Sequence, residues 1–357
     1  MYLAILTLIS GFLISYLLMP NIIYLAIRKN LFSTLKPVLN GGEIRKISNL
    51  GGIAIFVGLR ITHSLFIDLE NFPSNYYIAA LFIIFLVGLN DDLTGMRPLN
   101  RLIAQITVAL VIVIPGDLYV HSLDGMFGIY ELNPMLGMFL SAFFIVGLIN
   151  AFNLIDGIDG LAGSLALLIM LAFAYLFYLL HSTDLALLCL AFSGTLIAFL
   201  IYNAHPAKIF MGDSGAYIIG FTMGTLSIAL VNGISQNSLE IAGTTVHSAY
   251  GIVSAMLFLP IFDTIRVFTL RLCNKQHPFK GDSNHMHHRL IKLGFTHSQI
   301  AGTFVVTTLA LTLCSILLHN FNPALQVLIL LGIVLLLNLI TYYALKRQQN
   351  VKSQIQN

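Results

Sequence analysis

The chain has 357 residues, 57% of them hydrophobic and only 9% charged. A soluble protein of that length carries about 25% charged residues, so a water-soluble globule is excluded. The apolar runs are continuous rather than alternating, which excludes a transmembrane β-barrel. The net charge of +3 says little about partners before its placement is known; no nucleic-acid partner is expected.

Runs near 20 residues long read as membrane-spanning helices. In chain order they are Tyr2–Ile27, Leu50–Ile67, Tyr76–Leu89, Leu102–Ile114, Met135–Ile149, Leu161–Leu180, Leu185–Tyr202, Gly215–Val231, Ala249–Leu270, Gln299–Leu318 and Ala324–Leu345. The expected fold is therefore an all-α polytopic integral membrane protein with about eleven spans. Counting loops alternately puts 17 of the 18 Lys and Arg on one side, the exception being Arg60 within a span. The positive-inside rule makes that side cytoplasmic, which leaves the N-terminus outside and the C-terminus inside. Residues 1–345 read as one transmembrane domain and 346–357 as a short polar cytoplasmic tail. Cys189 and Cys314 fall inside spans and Cys273 just beyond one. No disulfide framework is implied.

Four polar motifs fall on the cytoplasmic side. Asn90-Asp91-Asp92 closes the third span, with Arg97 and Arg101 following. Adjacent carboxylates at an apolar helix end need a cation or a proton, and the arginines suit a phosphate. Asn150-Ala-Phe-Asn153-Leu-Ile-Asp156-Gly-Ile-Asp159-Gly160 follows the fifth span. Polar groups at that depth are costly and usually functional. The stretch reads as an ion- or ligand-binding turn, the alternative being an Asx-stabilised turn; amide and carboxylate oxygens are ligands for a hard cation such as Mg²⁺.

Phe210-Met-Gly-Asp213-Ser-Gly215 enters the eighth span. Its glycines allow close backbone approach, and its Asp is either a helix cap or part of a phosphate site. The longest cytoplasmic loop carries Lys280, Asp282, His285, His287, His288 and Arg289. Phosphate or nucleotide contact is the preferred reading there, with zinc as the rival. Arg60 is expected to snorkel or to meet a buried acid. Asp263, one turn before Arg266, is read as an ion pair or a substrate contact. His63 is expected at the outer interface, and acids such as Asp124 in solvated outer loops.

Paired acids, hard-cation ligands and basic donors on one membrane face suit a diphosphate. A site at the bilayer edge suggests a lipid substrate. The residues thus describe a membrane phosphotransferase joining a cytosolic nucleotide-linked group to a lipid, with its active site on the cytoplasmic face.

Together the motifs Asp91-Asp92, Asn150 to Gly163, Phe210 to Gly215 and His285-Met-His287-His288 resemble those of the polyprenyl-phosphate N-acetylhexosamine-1-phosphate transferases, glycosyltransferase family 4. The match runs in order over about residues 45–295. The His-x-His-His form is similar to the undecaprenyl-phosphate GlcNAc-1-phosphate branch. The chain departs from the family at Leu35-Lys36-Pro37, which lacks an Asp, and after Arg45-Lys46, where a His is missing.

The resemblance implies transfer of GlcNAc-1-phosphate from UDP-GlcNAc to undecaprenyl phosphate in a bacterial inner membrane, initiating lipid-linked envelope glycans such as O-antigen. It implies Mg²⁺, with Mn²⁺ as the alternative, on Asn153 and Asp213. It implies a catalytic role for Asp91 or Asp92, and substrate contacts for Lys46, Arg101, Asp156, Asp159, His285, His287 and His288. Other UDP sugars (N-acetylfucosamine, N-acetylquinovosamine, or MurNAc-pentapeptide) and a cation-coupled transporter are the alternatives. A homodimer is left open.

Overall fold

The helix at the centre of the protein is assembled from small residues. In the computed structural model, which describes residues 2–32, 47–69, 72–241, 243–275 and 285–356, this helix is α8 (Gly212–Asn237). Every residue from Ser214 to Ile228 is buried. In a bilayer, helix association depends on close packing rather than on escape from water. Gly220 and Gly224 supply that closeness against α5 (Pro134–Ile155): a Cβ at Gly220 would lie 2.5 Å from the Ile149 Cα. Gly88 of α3 (Ser74–Thr94) does the same on another face, where a Cβ would meet the Ser214 Cα at 2.5 Å. Tyr77 adds a hydroxyl contact of 3.0 Å to Thr222.

Around this axis stand α1 (Tyr2–Lys29), α2 (Gly51–Phe66), α4 (Pro98–Val113), α6 (Leu161–Leu179) and α7 (Thr183–Asn203). The C-terminal half holds α9 (Tyr250–Cys273), the short α10 (Met286–Lys292), α11 (His297–Leu317) and α12 (Pro323–Gln356). α1 packs on α7 and α2, α6 on α7, and α9 on α11, α12 and α5. Helix starts follow local rules. Pro134 opens α5 behind the Asn133 cap, and Thr296 with Gln299 forms a capping box on α11.

Among the described residues, nine helices are long and apolar enough to cross a membrane, and α2 and α4 are shorter apolar helices of 16 residues. The protein is thus a polytopic helical membrane protein, and each expected span overlaps a helix. Several boundaries differ. α3 continues through Asp91 and Asp92 to Thr94. α5 continues through Asn150 and Asn153 to Ile155. α12 carries on through the expected tail to Gln356.

Two small hairpins depart from an all-α expectation. β1 (Ser122–Met126) pairs with β2 (Ile129–Glu131), and β3 (Leu239–Ile241) with β4 (Thr244–Val246). Asp124 in the first hairpin is not merely solvated: the Ser122 and Ser235 hydroxyls donate to its Oδ1 at 2.9 and 2.6 Å. His63 is buried at 6% exposure rather than interfacial. The Arg60 Nη1 lies 3.0 Å from its Nδ1, so among the described residues Arg60 meets an imidazole rather than an acid.

Candidate active site

Asp91 and Asp92 stand at the end of α3, and the structure gives them different partners. One oxygen of Asp91 takes the Arg101 Nε at 2.6 Å and the Tyr217 hydroxyl at 3.1 Å. Its other oxygen takes the Met96 N–H at 2.7 Å. Asp92 points at the start of α8 instead. Its Oδ1 accepts the Asp213 N–H at 2.8 Å and the Asn49 amide at 2.7 Å. Its Oδ2 accepts the Ser214 N–H at 3.0 Å and the Ser214 hydroxyl at 2.7 Å. A carboxylate on the free N–H groups of a helix start satisfies donors that otherwise lack partners and favours the helix dipole. Asp92 therefore serves as a cap for α8 supplied by another helix.

That arrangement requires a glycine at position 212. Its φ is +74°, and a Cβ there would lie 1.9 Å from the Asn49 carbonyl oxygen and 2.7 Å from both Asp92 oxygens. The segment leading to it is held by the Gly-Gly pair at the start of α2. Gly51 and Gly52 donate to the carbonyls of Phe210 and Met211 at 3.0 and 2.9 Å, and Phe210 donates back to Ser48 at 2.8 Å.

Asp213 is thereby aimed between α3 and α5. The Asn153 amide donates to its Oδ1, and its carboxylate faces that of Asp91 with Arg101 close by. Two like charges meeting at a partly buried helix junction call for a cation. Asp213 and the Asn153 amide oxygen, after rotation of the amide, are oxygen donors of the kind that Mg²⁺ takes while keeping waters for a phosphate. These residues fit a hard divalent cation. Asn150, in contrast, is structural: its amide donates to the Gln105 side chain at 2.7 Å and to the Val146 carbonyl at 2.8 Å.

The turn between α5 and α6 connects this junction to two others. Asp156 closes α5, its N–H donating to Phe152 at 3.3 Å. At Gly157 a Cβ would lie 2.8 Å from the His287 Nε2, so the histidine motif packs directly on the turn. His285 and His287 are buried at 4% and 1% exposure, and the His287 and His288 rings lie 4.3 Å apart. Asp263 organises that motif from α9. It accepts from the Met286 N–H at 2.9 Å and from the Arg266 guanidinium at 2.8 Å, and its second oxygen lies 2.9 Å from the His285 Nδ1.

Asp159 lies at the third junction. Burial works against its charge, but the facing His297 and His205 imidazoles and the Ala207 N–H outweigh that and hold the carboxyl at about 2. Asn203 supports the same turn, accepting from the Gly160 N–H at 2.9 Å and donating to the Ile209 carbonyl at 2.8 Å.

The structure thus brings Asp91, Asp92, Arg101, Asn153 and Asp213 together. It sets His285, His287 and His288 against the Gly157 turn, and it places Asp159 with His205 and His297. Lys46, with Lys280 and Asp282, lies outside the described residues. Sequence reading missed Asn49, Tyr217, Asn203, His205 and His297. Tyr217 alone left a signal, since it sits one turn after Asp213 on the same helix.

The profile for glycosyl transferase family 4 matches residues 75–231, which include Asp91, Asp92, Asn153 and Asp213. The chain is 31% identical over 275 residues to the undecaprenyl-phosphate alpha-N-acetylglucosaminyl 1-phosphate transferase of Yersinia pestis, covering 75% of this chain and 71% of that protein. It is 27% identical over 310 residues to the enzyme of the same name from Escherichia coli strain K12, covering 85% and 80%. It is also 27% identical over 274 residues to the decaprenyl-phosphate N-acetylglucosaminephosphotransferase of Mycolicibacterium smegmatis, covering 71% and 68%.

Proposed function

The chain belongs to glycosyl transferase family 4, and we propose that it transfers GlcNAc-1-phosphate from UDP-GlcNAc to undecaprenyl phosphate, releasing UMP. The observation that carries this reading is the junction of Asp213, Asn153, Asp91 and Arg101 at the end of an apolar bundle. Oxygen ligands and a guanidinium there face the headgroup region, where a lipid phosphate and a soluble sugar nucleotide can meet.

In the proposed reaction an oxygen of the lipid phosphate attacks the sugar-bearing phosphorus of the nucleotide sugar. A new P–O–P bond forms, the bridge to the uridine-bearing phosphate breaks, and UMP leaves with the electron pair. Asn153 and Asp213 hold Mg²⁺ in this reading, with Mn²⁺ as the alternative; when bound, the ion supplies charge neutralisation at the diphosphate. Arg101, fixed by Asp91, holds a phosphate. A phosphate oxyanion needs little activation, and each oxygen of Asp91 and Asp92 already accepts a hydrogen bond. Their part is therefore to position groups rather than to carry a proton. His285, His287, His288, Asp156 and Asp159 line the nucleotide-sugar side in this reading, and Lys46 is assigned a substrate contact by the family resemblance alone.

This function sets the site toward the cytoplasm of a bacterial inner membrane, with the N-terminus outside, as the charge distribution supports. A transporter reading is disfavoured because the acids gather at helix ends rather than midway along broken helices. The test is release of UMP by purified protein supplied with undecaprenyl phosphate and a panel of UDP-N-acetylhexosamines. UDP-GlcNAc should be the preferred donor. Release from UDP-N-acetylfucosamine or UDP-N-acetylquinovosamine alone would replace the sugar. No release from any donor would overturn the reading.

A further inference from the structure

Asp159, His205 and His297 come from three separate stretches: the turn before α6, the loop after α7 and the first residue of α11. The His205 Nδ1 lies 2.7 Å and the His297 Nδ1 3.3 Å from the same oxygen of Asp159, and the three donor atoms all fall within 4.8 Å of one another. Only part of this is ordinary hydrogen bonding. His297 meets that oxygen as an ion pair, its Nδ1 shut off from solvent and, among the described residues, outside hydrogen-bond alignment, while its side chain is 32% exposed. The carboxylate already receives His205 and the Ala207 N–H at 3.3 Å.

Two nitrogens and one carboxylate oxygen form the donor set of a borderline metal rather than of Mg²⁺. We propose that Asp159, His205 and His297 bind a divalent transition metal of the zinc class, at a site separate from the Asn153–Asp213 junction. Three ligands around a tetrahedral zinc lie about 3.3 Å apart. His297 already stands at that distance from Asp159. His205 must withdraw by about 0.6 Å, and its side chain is the exposed one, at 43%. Its open side leaves the fourth position to water. The Ala207 N–H supplies an outer contact that orients the carboxylate.

Occupancy ties α11 and the 203–211 segment to the 156–160 turn. That segment runs directly into Gly212 and Asp213, so the metal bears on the neighbouring site. If Asp159 also contacts the nucleotide sugar, zinc inhibits the transferase; this consequence rests on the proposed function, whereas the binding itself does not.

The experiment reads binding without turnover. Untagged full-length protein in detergent, stripped of metal, is titrated with Co²⁺ and then with Zn²⁺ while the visible absorption of low-coordinate cobalt is followed. The expected result is one equivalent per chain of Co²⁺ showing the strong absorption of a low-coordinate site, displaced by Zn²⁺ and not by Mg²⁺. Loss of an outer-shell partner costs metal affinity about 10–100-fold, so removing two ligands in His205→Ala/His297→Ala should cost roughly 100-fold or more. Asp213→Asn should bind cobalt as the wild type does. His297→Cys should add a near-ultraviolet thiolate-to-cobalt band, a gain of signal that unfolding does not produce. The proposal is overturned if the wild type shows no cobalt signal or the Cys variant no new band. It is equally overturned if the signal survives the double substitution, or if it is lost in Asp213→Asn or His287→Ala.

Discussion

Asp92 accepts the backbone N–H of Asp213 at 2.8 Å, so one acid of the site holds the next in place. The same carboxylate takes the Ser214 N–H and hydroxyl and the Asn49 amide. Its removal leaves the first donors of α8 unpartnered in a buried junction. Asp92→Ala should therefore destabilise the protein by about 2 kcal/mol, the upper range for loss of a helix cap. The measurement is the thermal unfolding midpoint in detergent, alongside UMP release. If the variant is inactive yet melts with the wild type, Asp92 acts in the chemistry and not as a cap.

Asp213 makes the opposite prediction. Its carboxylate accepts the Asn153 amide and faces the like charge of Asp91. Asp213→Asn removes a charge that only a cation makes favourable, so folding should be preserved and activity should fall by roughly 10²–10³-fold or more. Removing divalent ions from the wild type with a chelator should give a comparable loss, restored by Mg²⁺. Full activity in the chelator-treated protein would exclude an essential ion.

Much of this is legible in the sequence. Charge placement and run length located the helices, because membrane thickness and the cost of buried charge act on sequence directly. Spacing also singled out Asp91, Asp92, Asn153 and Asp213. Helix ends were less legible. Asn150 and Asn153 read as part of a turn, yet Asn150 is satisfied by Gln105, 45 positions away, which lets α5 continue. Pairings of that kind depend on which helices become neighbours, and no local period records them. Asn203 and His205, which order the Asp159 turn, belong to the same class.

Asp124 illustrates the same limit on the other side of the fold. Its neighbours in sequence suggest a solvated loop, but Ser235 at the end of α8 donates to it at 2.6 Å across 111 positions. Its Oδ2 is buried without a hydrogen bond among the described residues. Asp124→Ala should cost about 1–2 kcal/mol through the lost hydroxyl contacts. Activity per folded molecule should be unchanged, because the hairpin lies far along α8 from Asp213. A comparison of unfolding midpoint with specific activity checks both halves. An unshifted midpoint would return Asp124 to the class of solvated acids.

Asp263 offers the sharpest separation of positioning from chemistry. It holds the His285 imidazole, the Met286 N–H and the Arg266 guanidinium, with its own side chain only 4% exposed. Deleting it breaks a buried ion pair with Arg266, which costs about 3–5 kcal/mol, so Asp263→Ala should fold poorly. Asp263→Asn keeps the shape and one acceptor for Met286 while weakening the hold on His285. If the histidine motif contacts the sugar nucleotide, this variant should raise the KM for UDP-GlcNAc by about 10-fold, the equivalent of one charge-assisted hydrogen bond. Its kcat and its KM for the lipid phosphate should stay within a few-fold of the wild type. A fall in kcat at unchanged KM would instead place His285 at the reacting phosphorus, and Asp263 would then be positioning a group that acts in the transition state.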